Sequence, residues 1–231
     1  MAVAVTALTV GGLHATQSSF TTASVSPTAG RKLVCLVINS KGTGGNAPAV
    51  PGSVSGLGLT WSMPGSQTGN TYNSGAATGG GFGRIASAWI GEGISSSGTL
   101  DIQFAASQWN CCWALYEVAS LDTLRQIVFA WGDSTQTIEV TLAAFGAAGN
   151  GTLIAGLNDF STGFTPGTGL TEAGEVLTSG GDFASAWRNS NDTTPSMDGS
   201  QGEDWLAVAV ELAETAAGGG SATPVLLQRR H

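Results

Sequence analysis

Glycine interrupts this chain too often for helices to be its building blocks. There are 35 glycines among 231 residues, and one in a helix interior is about 1 kcal/mol worse than alanine. The stretch best suited to a helix, Ala143 to Ala148, contains Gly146 and runs into Gly149, so it is discounted. Ser120 to Arg125 offers a single turn at most. Between the glycines lie short, β-branched and apolar runs, which have the length and composition of strands.

Arg31 to Asn39 follows the turn-forming Pro27 to Gly30 and reads as a buried strand. A strand over Ser18 to Ser26 precedes it, and Leu100 to Phe104 alternates with Ile102 and Phe104 on one face. Cys111 to Val118 is apolar on both faces until Glu117. Ile127 to Trp131, Thr137 to Leu142, Leu153 to Leu157 and Leu206 to Leu212 complete the set. Long Gly/Ser/Thr loops are predicted over 41–56, 62–83 and 189–204, and loops of that length usually do something or pack onto a neighbour. All-β sandwiches often run to about this length as one domain. The expectation is an all-β, antiparallel β-sandwich, jelly-roll-like, over 1–214, with an extended C-terminal arm over 215–231.

An ordered echo runs through the sequence. Ala29-Gly30 and Asn39 recur as Ala148-Gly149 and Asn158; Gly58-Leu-Thr60 recurs as Gly169-Leu-Thr171. Ala86-Ser-Ala-Trp89 recurs as Ala184-Ser-Ala-Trp187, and Glu117-Val118 as Glu211-Leu212. The offset falls steadily from 119 through 111 and 98 to 94, as shorter loops in a second copy would make it. If the echo records a duplication, the halves are 1–120 and 121–214. The two copies would then complete a single sandwich or lie as adjacent lobes.

Chemistry-bearing side chains are scarce: 8 Lys or Arg, 16 Asp or Glu and 2 His. Nucleic-acid binding needs clustered cations, and the net charge is −8. No apolar run approaches the ~20 residues of a membrane-spanning helix. The N-terminus lacks a basic region and breaks at Gly11-Gly12, so no secretory signal is read and synthesis in the cytoplasm is expected.

Cys35, Cys111 and Cys112 are an odd set with an adjacent pair, which reads as small buried hydrophobes rather than a disulfide framework or metal site. A hydrolase triad needs a histidine beside a nucleophile; His14 has no nucleophile elbow near it and reads as a surface or strand-end residue. No phosphate-binding loop or dinucleotide fingerprint is completed. Glu117 and Glu211 hold equivalent places in the echo, which predicts a structural position such as the solvent face of a strand rather than a glycosidase pair. Asp192, Asp198, Glu203 and Asp204 read as acids of a solvated loop, with Ca²⁺ the less favoured alternative. Asn150-Gly-Thr152 and Asn191-Asp-Thr193 fit the glycosylation sequon. No catalytic residue, cofactor or metal is assigned.

Of the seven tryptophans, Trp89, Trp113 and Trp187 lie within strand patterns and read as core. Trp61 and Trp109 sit at strand–loop junctions, where exposure would suit a subunit interface or a sugar site. The segment Pro224, Val225, Leu226, Leu227, Arg229 and Arg230, carried on a Gly-rich linker, is the second candidate partner-binding element.

Several segments occur in an order similar to β-sandwich accessory virion proteins of tailed bacteriophages. They are Ala29 to Val37, Gly58-Leu-Thr-Trp61, Ala86-Ser-Ala-Trp89, Thr99-Leu-Asp-Ile102 and Trp113-Ala-Leu-Tyr-Glu-Val118. The match covers residues 18–120 well and 137–214 through the echo. The resemblance implies a non-enzymatic virion protein assembled in the host cytoplasm, decorating and cementing the capsid, or else a minor tail protein. The partners implied are other virion subunits, including copies of itself, with no nucleic acid or membrane. A carbohydrate-binding module for host attachment, with a surface glycan as ligand, is the alternative. A surface of short Gly, Ser, Thr and Ala side chains loses little entropy on packing, which suits an array.

Overall fold

The computed structural model describes residues 1–41, 48–64, 71–73, 83–158 and 163–216. Parts of the first two predicted loops, and the whole candidate segment from Pro224 to Arg230, lie outside them. The protein is all-β, with antiparallel strands in two sheets. The first sheet holds β1 (Ala4–Thr21), β2 (Lys32–Lys41), β3 (Ser53–Gly56), β4 (Thr60–Ser62), β5 (Thr71–Asn73), β6 (Gly83–Glu92) and β7 (Leu100–Ala119). The second holds β8 (Leu121–Glu139), β9 (Gly151–Asn158), β10 (Phe164–Pro166), β11 (Thr171–Thr178), β12 (Gly181–Arg188) and β13 (Ser196–Glu214).

The two sheets repeat one plan. The first is ordered β1-β7-β2-β6-β4, with β3 also paired to β7. The second is ordered β8-β13-β9-β12-β11, with β10 also paired to β13. The registers agree at the echo: Leu33 faces Glu117 as Thr152 faces Glu211, and Asn39 faces Cys111 as Asn158 faces Trp205. The turns agree as well. Arg31 N–H donates to Thr28 O before β2, and Asn150 N–H to Ala147 O before β9. Leu59 closes onto Gly56 before β4, and Leu170 onto Gly167 before β11. Gly58 and Gly169, in those last two turns, both have positive φ (70° and 82°), which glycine adopts without strain.

One element of the echo is out of register. Cys35 faces Trp89, but Ile154, the counterpart of Cys35, faces Ala186, one residue short of Trp187. A one-residue shift moves a side chain to the other face of a strand. Trp89 accordingly packs in the first half's own core, while Trp187 packs, partly buried, against the core between the halves.

Three apolar layers result. The central one lies between the two sheets and joins Val34, Leu36, Ile38, Ala114 and Tyr116 to Leu153, Ala155, Leu157, Val208 and Val210. Each half also curls over its own outer face. In the first half the end of β1 (Phe20), the start of β7 (Ile102, Phe104) and β3 (Val54) cover Leu33, Cys35 and Val37. In the second, Ile138, Met197 and Phe164 cover Ile154, Ala184 and Ala207. Both faces of the middle strands are thus buried, which explains their unbroken apolar sequences. The halves are neither separate lobes nor single layers: each has its own core and they share a third.

The curl corrects several sequence expectations. β7 is one strand where two were expected, because its polar middle bends at the rim rather than ending. β1 begins at Ala4, well before Ser18, and Gly11-Gly12 lies inside it. A Cβ on Gly11 would stand 2.8 Å from the Trp113 ring, so the glycine is where an indole lies flat on the strand. Val25 joins the fold through an isolated bridge to Gly98 rather than through a strand. Ser120 is a one-residue turn with φ of 56°, and Leu121 to Arg125 is strand, not a helical turn. β8 ends at Glu139; Val140 and Leu142 continue alongside it, hydrogen-bonded to Pro195 and Thr193. The loop expected to Asp204 ends at Ser196, where β13 starts.

Candidate functional site

Glu117 and Glu211 are buried at 5% and 0% exposure, so neither lies on a solvent face. Each holds the turn that enters the strand beside it. Glu117 accepts from Thr28 N–H (2.6 Å), Thr28 Oγ1 (3.0 Å) and Arg31 Nη1 (3.2 Å). Glu211 accepts from Arg125 Nη1 (2.7 Å), Gly146 N–H (2.8 Å), Asn150 Nδ2 (2.5 Å) and Gln126 Nε2. Burial alone would raise the Glu211 pKa; Gly146, Gln126, Asn150 and Arg125 together override it and hold the carboxyl below its ordinary value. A carboxylate with its lone pairs occupied by structural donors clamps the turn those donors belong to. Asn150, one of the two sequons, is buried and committed to that clamp.

The opposite end of the second sheet holds a different carboxylate. Asp182 is fully buried on β12, where its Oδ2 accepts from Gly163 N–H at 3.0 Å. Glu175 on β11 accepts from Phe164 N–H at 3.0 Å. Burial first, and then the neighbouring Glu175 carboxyl, push Asp182 up from 3.8 to about 7; the Gly163 N–H works against this. Arg84, fully buried in the central layer, donates to Asp204 O at 2.9 Å.

The cysteines are inert. Cys111 turns into the first half's core and Cys112 into the central one, and burial raises the pKa of all three thiols, that of Cys112 to about 12. His14 sits within β1, not at a strand end, with its ring edge-on to Trp109 at 4.1 Å. Of the acids assigned to the loop over 189–204, Asp192 pairs with Arg188 and Asp198 accepts from Thr137 Oγ1. Among the described residues no three metal-ligating side chains converge.

The two candidate tryptophans are less available than expected. Trp61 is half-buried over Gly91, and its indole N–H donates to Gly56 O at 3.1 Å. Trp109 lies within β7, half-buried against His14. The structure does not bring the two together: Trp61 pairs with Gly91 on β6, and Trp109 is next to the residue that pairs with His14 on β1. The exposed indole is that of Trp131 on β8, at 55%. Sequence reasoning placed it in a strand, and its exposure depends on which side of β8 stays uncovered, which no local pattern encodes.

Charge separates the halves. Residues 1–120 carry Arg31, Lys32, Lys41 and Arg84 against Glu92, Asp101 and Glu117, a balance of +1. The remaining chain carries the other 13 acids and 4 basic residues, a balance of −9. Four exposed acids lie on the second half's outer strands: Glu139, Glu172, Glu175 and Asp198.

These features define an all-β protein of two curled, similarly connected halves, with its buried ionisable groups bound into the fold. No family model, curated protein or solved structure matches the chain.

Proposed function

We propose that this protein is a non-enzymatic structural component of a tailed-phage virion, a decoration or cement protein that works through subunit–subunit contacts. The observation that supports this most is the use made of its few buried charges. Glu117 and Glu211 hold turns, and Arg84 ties one half to the other through the Asp204 carbonyl. A doubled, tightly bonded β body with a surface of short side chains suits repeated packing at low entropic cost. The partners in this reading are the major capsid protein and neighbouring copies; a minor tail position uses the same surfaces.

Cryo-EM of purified virions tests the reading. Density for this fold at capsid symmetry positions is the expected result, density at the tail moves it to the minor tail class, and absence from the particle ends it. The exposed indole of Trp131 favours a second reading, a glycan-binding surface. Binding on a glycan array that is lost in Trp131→Ala would support it, and a silent array would remove it.

A further inference from the structure

The outer layer of the second half is acidic. It is built from the Thr135 to Glu139 part of β8, the start of β13, β10 and β11, and these segments contain no Lys or Arg. The layer is continuous. Asp198 stands opposite Thr137 on one side and Thr165 on the other, and Glu175 reaches the next residue of β10, Phe164, through its backbone N–H. Glu139 and Glu172 extend it at either side. Amid these acids Leu177, 65% exposed, is directly opposite Asp182 on the β11–β12 ladder. Asp182 itself is fully buried, close enough to the Glu175 carboxyl to share a hydrogen bond with it. The face therefore combines negative charge with an uncovered leucine.

The chain carries a segment of complementary chemistry. Residues 215–231 contain no acid, and they end in three apolar residues, Val225 to Leu227, followed by Arg229 and Arg230. We propose that this face is a docking surface and that its occupant is the C-terminal segment of the same chain, residues 224–231. The leucines and valine lie over Leu177, and the guanidinium groups lie among Glu139, Glu172, Glu175 and Asp198. Reach permits it: the nine to eleven residues that lead from residue 216 to Val225–Leu227 extend to about 30–36 Å, against a radius of gyration of about 17 Å for a body of this size. Covalent attachment also raises the local concentration to the order of millimolar. The inference does not depend on the virion reading, and its test needs no particle.

The test uses the full chain with Ser221→Cys carrying a maleimide dye, since the three native cysteines are fully buried. In about 20 mM salt the dye should report a held segment, and its anisotropy should fall about twofold in about 500 mM salt, where exposed charges are screened. Arg229→Glu with Arg230→Glu should give the low value at every salt concentration. So should Glu139→Lys with Glu172→Lys, two exposed acids whose replacement leaves the clamps intact. Combining both pairs of reversals should restore the high value. Asp101→Lys, on the first half, should change nothing. Anisotropy indifferent to salt and to both reversals overturns the proposal. So does anisotropy that rises with protein concentration, which would assign the segment to a second copy.

Discussion

The two halves share strand order, ladder register and a glutamate clamp, and differ in their outer strands. The first half's outer segments of β1, β3 and β7 bear one acid, Asp101, while those of the second half bear Glu139, Glu172, Glu175 and Asp198. What the halves keep in common is what each sheet needs to form: a turn held by a buried carboxylate and a strand apolar on both faces. What separates them lies outside, where folding constrains less. Specific recognition is therefore to be sought in the difference, on the second half.

Replacement of the two clamps should expose the first unequal effect. Glu211→Ala leaves Gly146 N–H and Asn150 Nδ2 without their acceptor, while Arg125 and Gln126 keep Ala144 O and Ala143 O, and should destabilise by about 2–4 kcal/mol at roughly 1–2 kcal/mol for each buried donor left unsatisfied. Glu117→Ala removes three donor contacts at a slightly more exposed site and should lose less. Urea titrations of both variants measure the gap, and equal losses would break the idea that the clamps differ in strength. The pH dependence should differ in sign between Glu211 and Asp182. The folded-state pKa of Glu211 lies below its ordinary value, so its stabilisation is present above the unfolded pKa and is lost as pH falls. The folded-state pKa of Asp182 is raised to about 7, so its contribution is full below about pH 4 and is lost as pH rises through 7. Asp182→Asn should therefore raise the melting temperature at pH 8 and leave it nearly unchanged at pH 4. A uniform shift at both pH values would contradict the assignment.

A smaller effect is expected at the seam. Tyr116 Oη and Ser185 Oγ lie 2.5 Å apart across the central layer, and Ser185 also donates to Ile154 O. Tyr116→Phe leaves Ser185 with that second partner, so the loss should be near 1 kcal/mol. A larger loss in equilibrium unfolding would mean that this bond sets how the halves fit together.

Much of the fold was legible because burial on two faces leaves a plain mark: Leu33 to Ile38 and Leu206 to Val210 have no polar residue to confuse the reading. The echo was legible because the residues that repeat are those that close turns and clamp them. The curl was not. The polar residues between Phe104 and Cys111 look like a loop, yet they bend a continuous strand around a rim. The glutamates were found and placed wrongly, since an isolated carboxylate favours water and the donors that retain Glu117, Thr28 and Arg31, lie far off in sequence. The partial cover of Trp61 and Trp109 was hidden for a similar reason: it comes from Gly91 and His14, on other strands. The acidic face was hidden by the whole-chain charge, which averages a neutral half with an acidic one.

The left-handed turn at Ser120 has a wider consequence. Thr215 donates its backbone N–H to Ser120 O, and the amino group of Met1 donates to Thr215 O. The first residue, the midpoint and the end of the last strand thus meet at one spot. Topologically the chain is a ring with two equivalent places to be cut. A circular permutant that opens at Ser120 and links residue 216 to residue 1 through a short spacer would keep every ladder of both sheets, and the second half would then be made first.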